Sequence, residues 1–204
     1  MKVIGAIGQN GSGKDEILKY LKAACGVPFF STGDMVREIA AEEGIEATRD
    51  NLRVISERWF SERGEGCFVR LLAERIKKEE DQTVGISGIR SLADVTILKG
   101  FFGDDFILIN VTMADPRQRY ERMVSRGEER DPHSYEQFLA LDRAEEDLFH
   151  VEEAGRQAQC TIGNDGKFLK ERIRLIEQSV LSRVKLREGF APLLTLPGVG
   201  KILG

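Results

Sequence analysis

The segment GQNGSGKD, residues 8–15, constrains the fold of this chain more than any other stretch. It ends a short apolar run and opens a segment with helical periodicity, so it joins a buried strand to a helix. Its pattern, G-x-x-x-x-G-K, is typical of a phosphate-binding loop, whose glycines let backbone N–H groups turn toward an anion at a helix N-terminus. We expect this phosphate loop to hold the phosphates of a nucleotide. The residues expected to contact it are Gly8, Asn10, Gly11, Ser12, Gly13, Lys14 and Asp15, with Lys14 reaching the β- and γ-phosphates.

Strand-like apolar runs alternate with segments of helical periodicity, which is typical of an α/β protein with a parallel sheet. Three of the expected helices follow one another between residues 33 and 80 without an intervening strand. We expect these three helices to form a cap on one edge of the sheet. The predicted strands are 2–8, 27–31, 83–87, 106–112 and 158–163, and the predicted helices are 13–24, 33–43, 48–62, 67–80, 91–101, 115–126, 134–147 and 166–188.

The length of 204 residues and the hydrophobic share of 41% fit one globular domain, which we expect over 1–190, followed by an apolar tail over 191–204. The formal net charge of -4 argues against an overall basic field that would recruit nucleic acid or a membrane surface. No secretory signal and no transmembrane segment is expected, because no apolar run is long enough. Three scattered cysteines are most simply reduced thiols, and we expect a cytoplasmic protein.

The segment STGDMVR, residues 31–37, is expected beside the phosphate loop. A helix of twelve residues rises about 18 Å and a strand of five residues returns about 17 Å, so the crossover brings Ser31 back to the same sheet edge. Helix capping explains the Ser, Thr and Asp of this segment, but not Arg37, which is available to an anion. The segment SGIR brings Arg90 to the end of the next strand, again at the carboxyl edge where open α/β sheets bind ligands.

Arginines are concentrated between residues 117 and 130, whereas lysine is absent from 100 to 166. Arg119, Arg122 and Arg126 have the spacing of one helical face, and arginine suits bidentate recognition of phosphate. The alternative is a solvated face paired with neighbouring glutamates. We expect a short arginine-rich lid at 127–133, and Arg143 on the following helix to close onto the same phosphates.

Together these stretches resemble the nucleoside monophosphate kinase group of P-loop kinases, within it the archaeal-type adenylate-kinase-related and dephospho-CoA-kinase-like proteins. The likeness covers about residues 1–180 and rests on the phosphate loop, STGDMVR, GIRSLADV, the R-x-x-R-x-x-x-R run followed by DP, and TIGNDG at 161–166. It implies a three-layer P-loop NTPase fold with a five-stranded parallel sheet, a helical acceptor-binding insertion at 33–80 and the arginine-rich lid. It also implies ATP with Mg²⁺ as donor and a phosphorylated acceptor. By resemblance Thr32, Asp34 and Arg37 would contact the acceptor, Arg90 its phosphate, Arg122, Arg126 and Arg130 the transferring group, and Asn164 the adenine end of ATP.

Two positions depart from the pattern of the group. Asp15 stands where Ser or Thr commonly holds magnesium, and Ser87 stands where the related proteins often carry an acidic residue. The carboxylate and the hydroxyl have traded places along the chain. Since magnesium takes oxygen ligands and keeps several waters, we hypothesise that Asp15 and Ser87 share one metal site, directly or through water.

The expected function is ATP-dependent phosphoryl transfer to a phosphorylated small molecule, most simply a nucleoside monophosphate. Such an acceptor is already anionic and needs no general base. Transfer to a hydroxyl, as in dephospho-CoA kinase, is the alternative, with Asp34 as the nearest candidate base. A nucleotide-binding regulator without catalysis is a further alternative, while the sequence indicates neither the acceptor nor an oligomeric state.

Overall fold

The structure is a computed structural model, and it describes residues 1–79, 81, 83–127 and 131–164. The predicted helix at 166–188, the tail at 191–204 and residues 128–130 of the predicted lid, which include Arg130, lie outside the described residues. Along the described chain the strands are β1 (Lys2–Ile7), β2 (Phe29–Ser31), β3 (Thr83–Ser87), β4 (Phe106–Thr112) and β5 (Cys160–Gly163). The helices are α1 (Lys14–Cys25), α2 (Thr32–Glu42), α3 (Arg49–Arg63), α4 (Cys67–Ile76), α5 (Leu92–Phe102), α6 (Pro116–Arg126), α7 (Tyr135–Phe149) and α8 (Val151–Gly155), with a 3-10 turn at Gly103–Asp105.

The five strands form one parallel sheet in the order β2-β3-β1-β4-β5. This confirms the predicted α/β fold with a five-stranded parallel sheet. The central strand is β1, so the phosphate loop leaves the sheet between β3 and β4. In register, Ser31 of β2 lies opposite Ser87 of β3, which puts the ends of these two strands beside the phosphate loop.

The apolar residues of the strands alternate between two helical layers. On one face Ile4 and Ala6 of β1 pack with Ile17, Leu18 and Leu21 of α1. On the other face β1, β3 and β4 pack with α4, α5 and α8. The third apolar cluster joins α2, α3 and α4, the three helices predicted between residues 33 and 80. Because α4 also packs on the sheet, a cap made of all three helices stays a prediction. Among the described residues, none of the helices is both long enough and apolar enough to cross a membrane.

Several elements differ from the sequence prediction. Strand β2 begins at Phe29 rather than at residue 27, because Pro28 has no N–H to donate to the sheet. Helix α4 ends at Ile76, short of the predicted residue 80. Helix α8 and the 3-10 turn were not predicted, since neither is long enough to show helical periodicity.

Asp94 caps α5 and is buried. One of its oxygens, Oδ2, accepts hydrogen bonds from the backbone N–H groups of Arg90 at 2.9 Å and Ser91 at 3.1 Å. Burial raises the pKa of the Asp94 carboxyl, against the opposing effect of these hydrogen bonds. The cap therefore fixes the backbone that carries Arg90. Keeping the buried Asp94 carboxylate charged, however, lowers the free energy of unfolding.

We expect Asp94→Asn to remove this pH-dependent cost, because an amide oxygen can accept the same two hydrogen bonds without a charge. A carboxyl whose pKa is raised by folding favours the folded state below its unfolded pKa, and this advantage disappears as pH rises through the folded pKa. The free energy of unfolding of Asp94→Asn, relative to wild type, should therefore increase as pH rises from about 4, near the unfolded pKa, through the raised folded pKa. Chemical denaturation at several pH values measures it. The exposed Asp104→Asn is the control, and a difference between Asp94→Asn and wild type that does not change with pH would contradict the expectation.

Candidate functional site

The phosphate loop is held in shape by two glycines that no other residue could replace without moving a neighbouring backbone. Gly11 has φ 77° and lies so close to α6 that a Cβ there would be 2.5 Å from the carbonyl oxygen of Arg119. A Cβ on Gly8 would lie 2.2 Å from the carbonyl oxygen of Val111 on β4. The loop is thus enclosed by α6 and β4, and its conformation depends on both.

The N-terminus of α1 is the anion-binding part of the loop. Helix α1 begins after Gly13, in a left-handed conformation, with no side chain capping its first amides. By contrast α2, α3, α5, α6 and α7 are each capped by a Ser, Thr or Asp side chain. Uncapped amides at the positive end of a helix dipole are suited to phosphate oxygens. The residues present therefore fit the phosphates of a nucleotide.

Lys14 carries the positive charge at this position. Burial lowers the pKa of its ammonium, the carboxylates of Asp15 and Glu145 oppose that effect, and the guanidinium groups of Arg90 and Arg126 add to it. Within the described residues no hydrogen bond or ion pair is formed by the Lys14 ammonium. A desolvated ammonium among other cations is stabilised by an anion, and a phosphate would supply it.

Asp15 and Ser87 are brought together, although they stand 72 positions apart in the sequence. The Ser87 hydroxyl donates a hydrogen bond to the Asp15 carboxylate, and Ser87 is buried at the end of β3. No group of three or more His, Cys, Asp and Glu side chains in the described parts of the chain is arranged to hold a metal ion. Two neighbouring oxygen ligands fit magnesium that keeps waters and binds phosphate oxygens, rather than a metal enclosed by protein ligands.

The acceptor side contains the residues that sequence reasoning assigned to STGDMVR and SGIR. The Thr32 hydroxyl donates to the Gly88 carbonyl oxygen at 3.2 Å, which ties the start of α2 to the loop after β3. The Arg37 guanidinium donates to the Asp34 carboxylate at 2.5 Å on the exposed side of α2. Arg90 lies at the end of β3 within 3.9 Å of the Glu145 carboxylate. Thr32 and Arg37 are thus engaged with other residues of the acceptor side, whereas Arg90 faces α7.

The arginine face of α6 is directed to the phosphate loop, as its spacing predicted. A Cβ on Gly13 would lie 3.5 Å from Nη1 of Arg122, and Arg126 is close enough to Lys14 to lower the pKa of the ammonium. Arg126 also pairs with the buried Asp131 at 2.5 Å. This pair therefore anchors Asp131 to α6.

Arg119 differs from its two neighbours because it is buried and paired. Its guanidinium contacts both oxygens of Asp142 on α7, at 2.5 and 2.7 Å, and donates to the Asn10 carbonyl oxygen at 3.2 Å. Its side chain is only 4% exposed. Arg119 therefore supports the phosphate loop from behind and is not available to a ligand, a role that helical spacing alone does not indicate.

Asn164 lies at the phosphate loop, but its side chain is turned inward. The amide donates to the Ser12 carbonyl oxygen at 2.7 Å, and the residue is buried. The predicted contact with the adenine ring of ATP concerns the backbone of this segment, and it stays a prediction.

Arg143 is not brought together with the other residues. It is exposed on α7, nearly opposite Glu145, because residues two apart on a helix are separated by about 160°. The face of α7 that meets the site carries Asp142 and Glu145. Sequence reasoning passed over Glu145 because it searched for cations, and no local pattern distinguishes this glutamate from its acidic neighbours.

Comparison with known proteins agrees with this arrangement. A family profile described as an AAA domain matches residues 7–138. The UPF0200 protein of Thermococcus kodakarensis is 35% identical over 142 residues, which are 69% of this chain and 76% of the relative. The UPF0200 protein of Pyrococcus abyssi is 35% identical over 170 residues, which are 82% of this chain and 90% of the relative.

Two solved structures share the fold. The protein TT1252 from Thermus thermophilus has a TM-score of 0.58 and 22% identity, covering 90% of this chain and 98% of its own. The shikimate kinase from Acinetobacter baumannii has a TM-score of 0.55 and 14% identity, covering 91% of this chain and 96% of its own. At these identities the likeness concerns the fold alone, and that fold is the one of P-loop kinases.

Proposed function

Since the chain belongs to the UPF0200 family and carries an AAA domain with the fold of P-loop kinases, we propose that it transfers the terminal phosphoryl group of ATP to a phosphorylated small molecule, most simply a nucleoside monophosphate. The observation that carries the proposal is that cationic residues from three separate elements stand around the phosphate loop. Lys14 belongs to the phosphate loop, whereas Arg90 extends from the neighbouring strand and Arg126 from α6. The charges of both arginines act on the Lys14 ammonium. We assign Lys14 to the phosphates of the donor, and the arginines to the transferring group and to the phosphate of the acceptor.

The proposed roles of the site residues follow from the chemistry of phosphoryl transfer, which needs positioning of the reactants and neutralisation of their charge. ATP would supply the phosphoryl group, held by the amides of α1 and by Lys14. Magnesium, held through Asp15 and Ser87, would neutralise part of its charge. Arg122 and Arg126 are proposed to stabilise the charge of the transferring group, and Arg90 to orient the acceptor phosphate, with Thr32 and Arg37 on the acceptor side.

Transfer to a hydroxyl is the second candidate, because the acceptor side also carries a carboxylate, Asp34. In the structure this carboxylate is paired with Arg37 at 2.5 Å. A base role would require the pair to open when the acceptor binds.

A coupled assay of ADP formation tests the proposal. Nucleoside monophosphates, dephospho-CoA and small phosphorylated metabolites are supplied one at a time with ATP and Mg²⁺. ADP formed only with a phosphorylated acceptor, and the doubly phosphorylated product identified by mass spectrometry, would support it. ADP release that needs no acceptor would indicate a hydrolase, and ATP binding without turnover would indicate a regulator. Either result contradicts the proposed transfer.

The paired oxygens predict a specific result for the metal. Asp15→Ser and Ser87→Asp each disturb one member of the pair, so each should raise the Mg²⁺ concentration for half-maximal activity by about tenfold or more. The double variant restores one carboxylate and one hydroxyl, with their positions exchanged, and should recover part of the loss. Magnesium titrations of the three variants measure the effect, with the exposed Asp50→Ser as control. Losses that are simply additive in the double variant would exclude a shared site.

A further inference from the structure

Glu145 is the acidic residue that the proposed function does not use, and it lies where phosphates are expected. Its side chain is 13% exposed, and its Oε1 is 3.9 Å from Nη1 of Arg90. One helical turn later, the ring of Phe149 lies under the same guanidinium, with Cζ 5.4 Å from the ring centroid. Helix α7 therefore places one carboxylate and one aromatic ring beside Arg90.

The pair joins two separate parts of the fold. Arg90 follows β3 and Glu145 is on α7, so the packing of α7 on the sheet brings this anion to the cation. Opposite charges at this separation attract each other, and the attraction favours one position of the guanidinium.

A largely buried carboxylate in a phosphate site also has a cost. It repels any phosphate that approaches Lys14 or Arg90, and its own desolvation must be offset by partners. The need for a soluble helix surface does not explain an acidic residue at position 145. The exposed face of α7 already carries acidic residues such as Asp147.

We propose that Glu145 is a positioning residue, the counter-ion of Arg90, which keeps this guanidinium in place for transfer and weakens the binding of simple anions. The role of Arg90 toward the acceptor phosphate rests on the proposed function. A phosphate group that arrives alone must compete with the Glu145 carboxylate. A complete donor or acceptor makes further contacts with the phosphate loop or the helical cap, so it binds in spite of this competition.

The test compares Glu145→Gln with wild type in the binding of pyrophosphate, measured by calorimetry, and in turnover. Removing one negative charge should tighten pyrophosphate binding about tenfold, equivalent to about 1.4 kcal/mol. It should also lower kcat, because the amide no longer fixes Arg90. Damage to the fold would weaken anion binding, so tighter binding distinguishes the two causes.

Two matched variants serve as controls. Glu145→Asp keeps the charge, and Asp147→Asn removes one charge from the opposite, exposed side of the same helix. Both should bind pyrophosphate within about twofold of wild type, a difference well below the tenfold step. Equal tightening by Asp147→Asn would assign the effect to net charge and overturn the proposal.

Two other results would overturn it as well. Unchanged pyrophosphate affinity in Glu145→Gln would show that the carboxylate does not compete with anions. Loss of turnover with unchanged affinity would make Glu145 a base for a hydroxyl acceptor instead. If wild type itself binds neither ATP nor pyrophosphate, the proposed function fails, whereas binding by wild type that Glu145→Gln does not alter overturns only the inference about Glu145.

Discussion

Replacing Lys14 with methionine is expected to lower acceptor-dependent ADP formation by about a hundredfold to a thousandfold. The ammonium is proposed to stabilise charge on the transferring phosphoryl group, and the neutral side chain cannot. The fold should tolerate the change, since burial already lowers the pKa of this ammonium and methionine carries no charge to desolvate. The loss should therefore appear in kcat with no fall in the free energy of unfolding.

Lys19→Met provides the matched control. Lys19 lies on the same helix, and its exposed side chain pairs with Glu16 at 2.7 Å. Steady-state kinetics of this variant should match wild type. If Lys14→Met retained the wild-type rate, the phosphate loop would not be the site of transfer.

Replacing Arg119 with methionine is expected to cost about 3–5 kcal/mol of folding free energy, because it leaves the carboxylate of Asp142 without its partner in a largely buried position. The pair is bidentate, with exposures of 4% for Arg119 and 14% for Asp142. The same change removes the hydrogen bond to the Asn10 carbonyl oxygen, so the KM for ATP should rise as well. Denaturant unfolding and steady-state kinetics measure the two effects.

Two comparisons give this expectation its controls. The double variant Arg119→Met with Asp142→Leu removes both charges and should recover most of the stability, but not the ATP affinity. Glu57→Ala breaks the exposed pair with Arg53 on α3 and should cost less than about 1 kcal/mol. A loss in Arg119→Met as small as the loss in Glu57→Ala would mean that the buried pair does not support the loop.

Sequence reasoning succeeded where the signal is local or follows from the geometry of parallel strands. The alternation of apolar runs and helical segments predicted the five strands, and the crossover argument predicted that Ser31 returns to the edge of the phosphate loop. The Asp15 carboxylate and the Ser87 hydroxyl were also predicted to lie close together, because both residues stand at the carboxyl edge of the sheet. The structure joins them by a hydrogen bond.

What sequence reasoning missed depends on contacts between distant segments. Arg119, Arg122 and Arg126 share one helical face, so spacing could not show that the first is buried against Asp142 while the second meets Gly13. Arg143 was chosen for its charge, yet the helix turns Glu145 to the site instead. Which of two neighbouring charged residues faces a ligand depends on how α7 packs, and that packing is not encoded within α7 alone.

The central position of β1 also has a consequence for folding during synthesis. The strand pairs Lys2 with Thr83 on one side and Val3 with Phe106 on the other, so both of its neighbours are synthesised long after it. A nascent chain that ends before β4 contains the complete sequence of the phosphate loop, but not Val111, whose carbonyl oxygen closes over Gly8. Such distant pairing is slow to form. The proposed nucleotide would therefore stabilise the chain only after β4 has paired with β1. It would not act as a template for the folding of the earlier part of the chain.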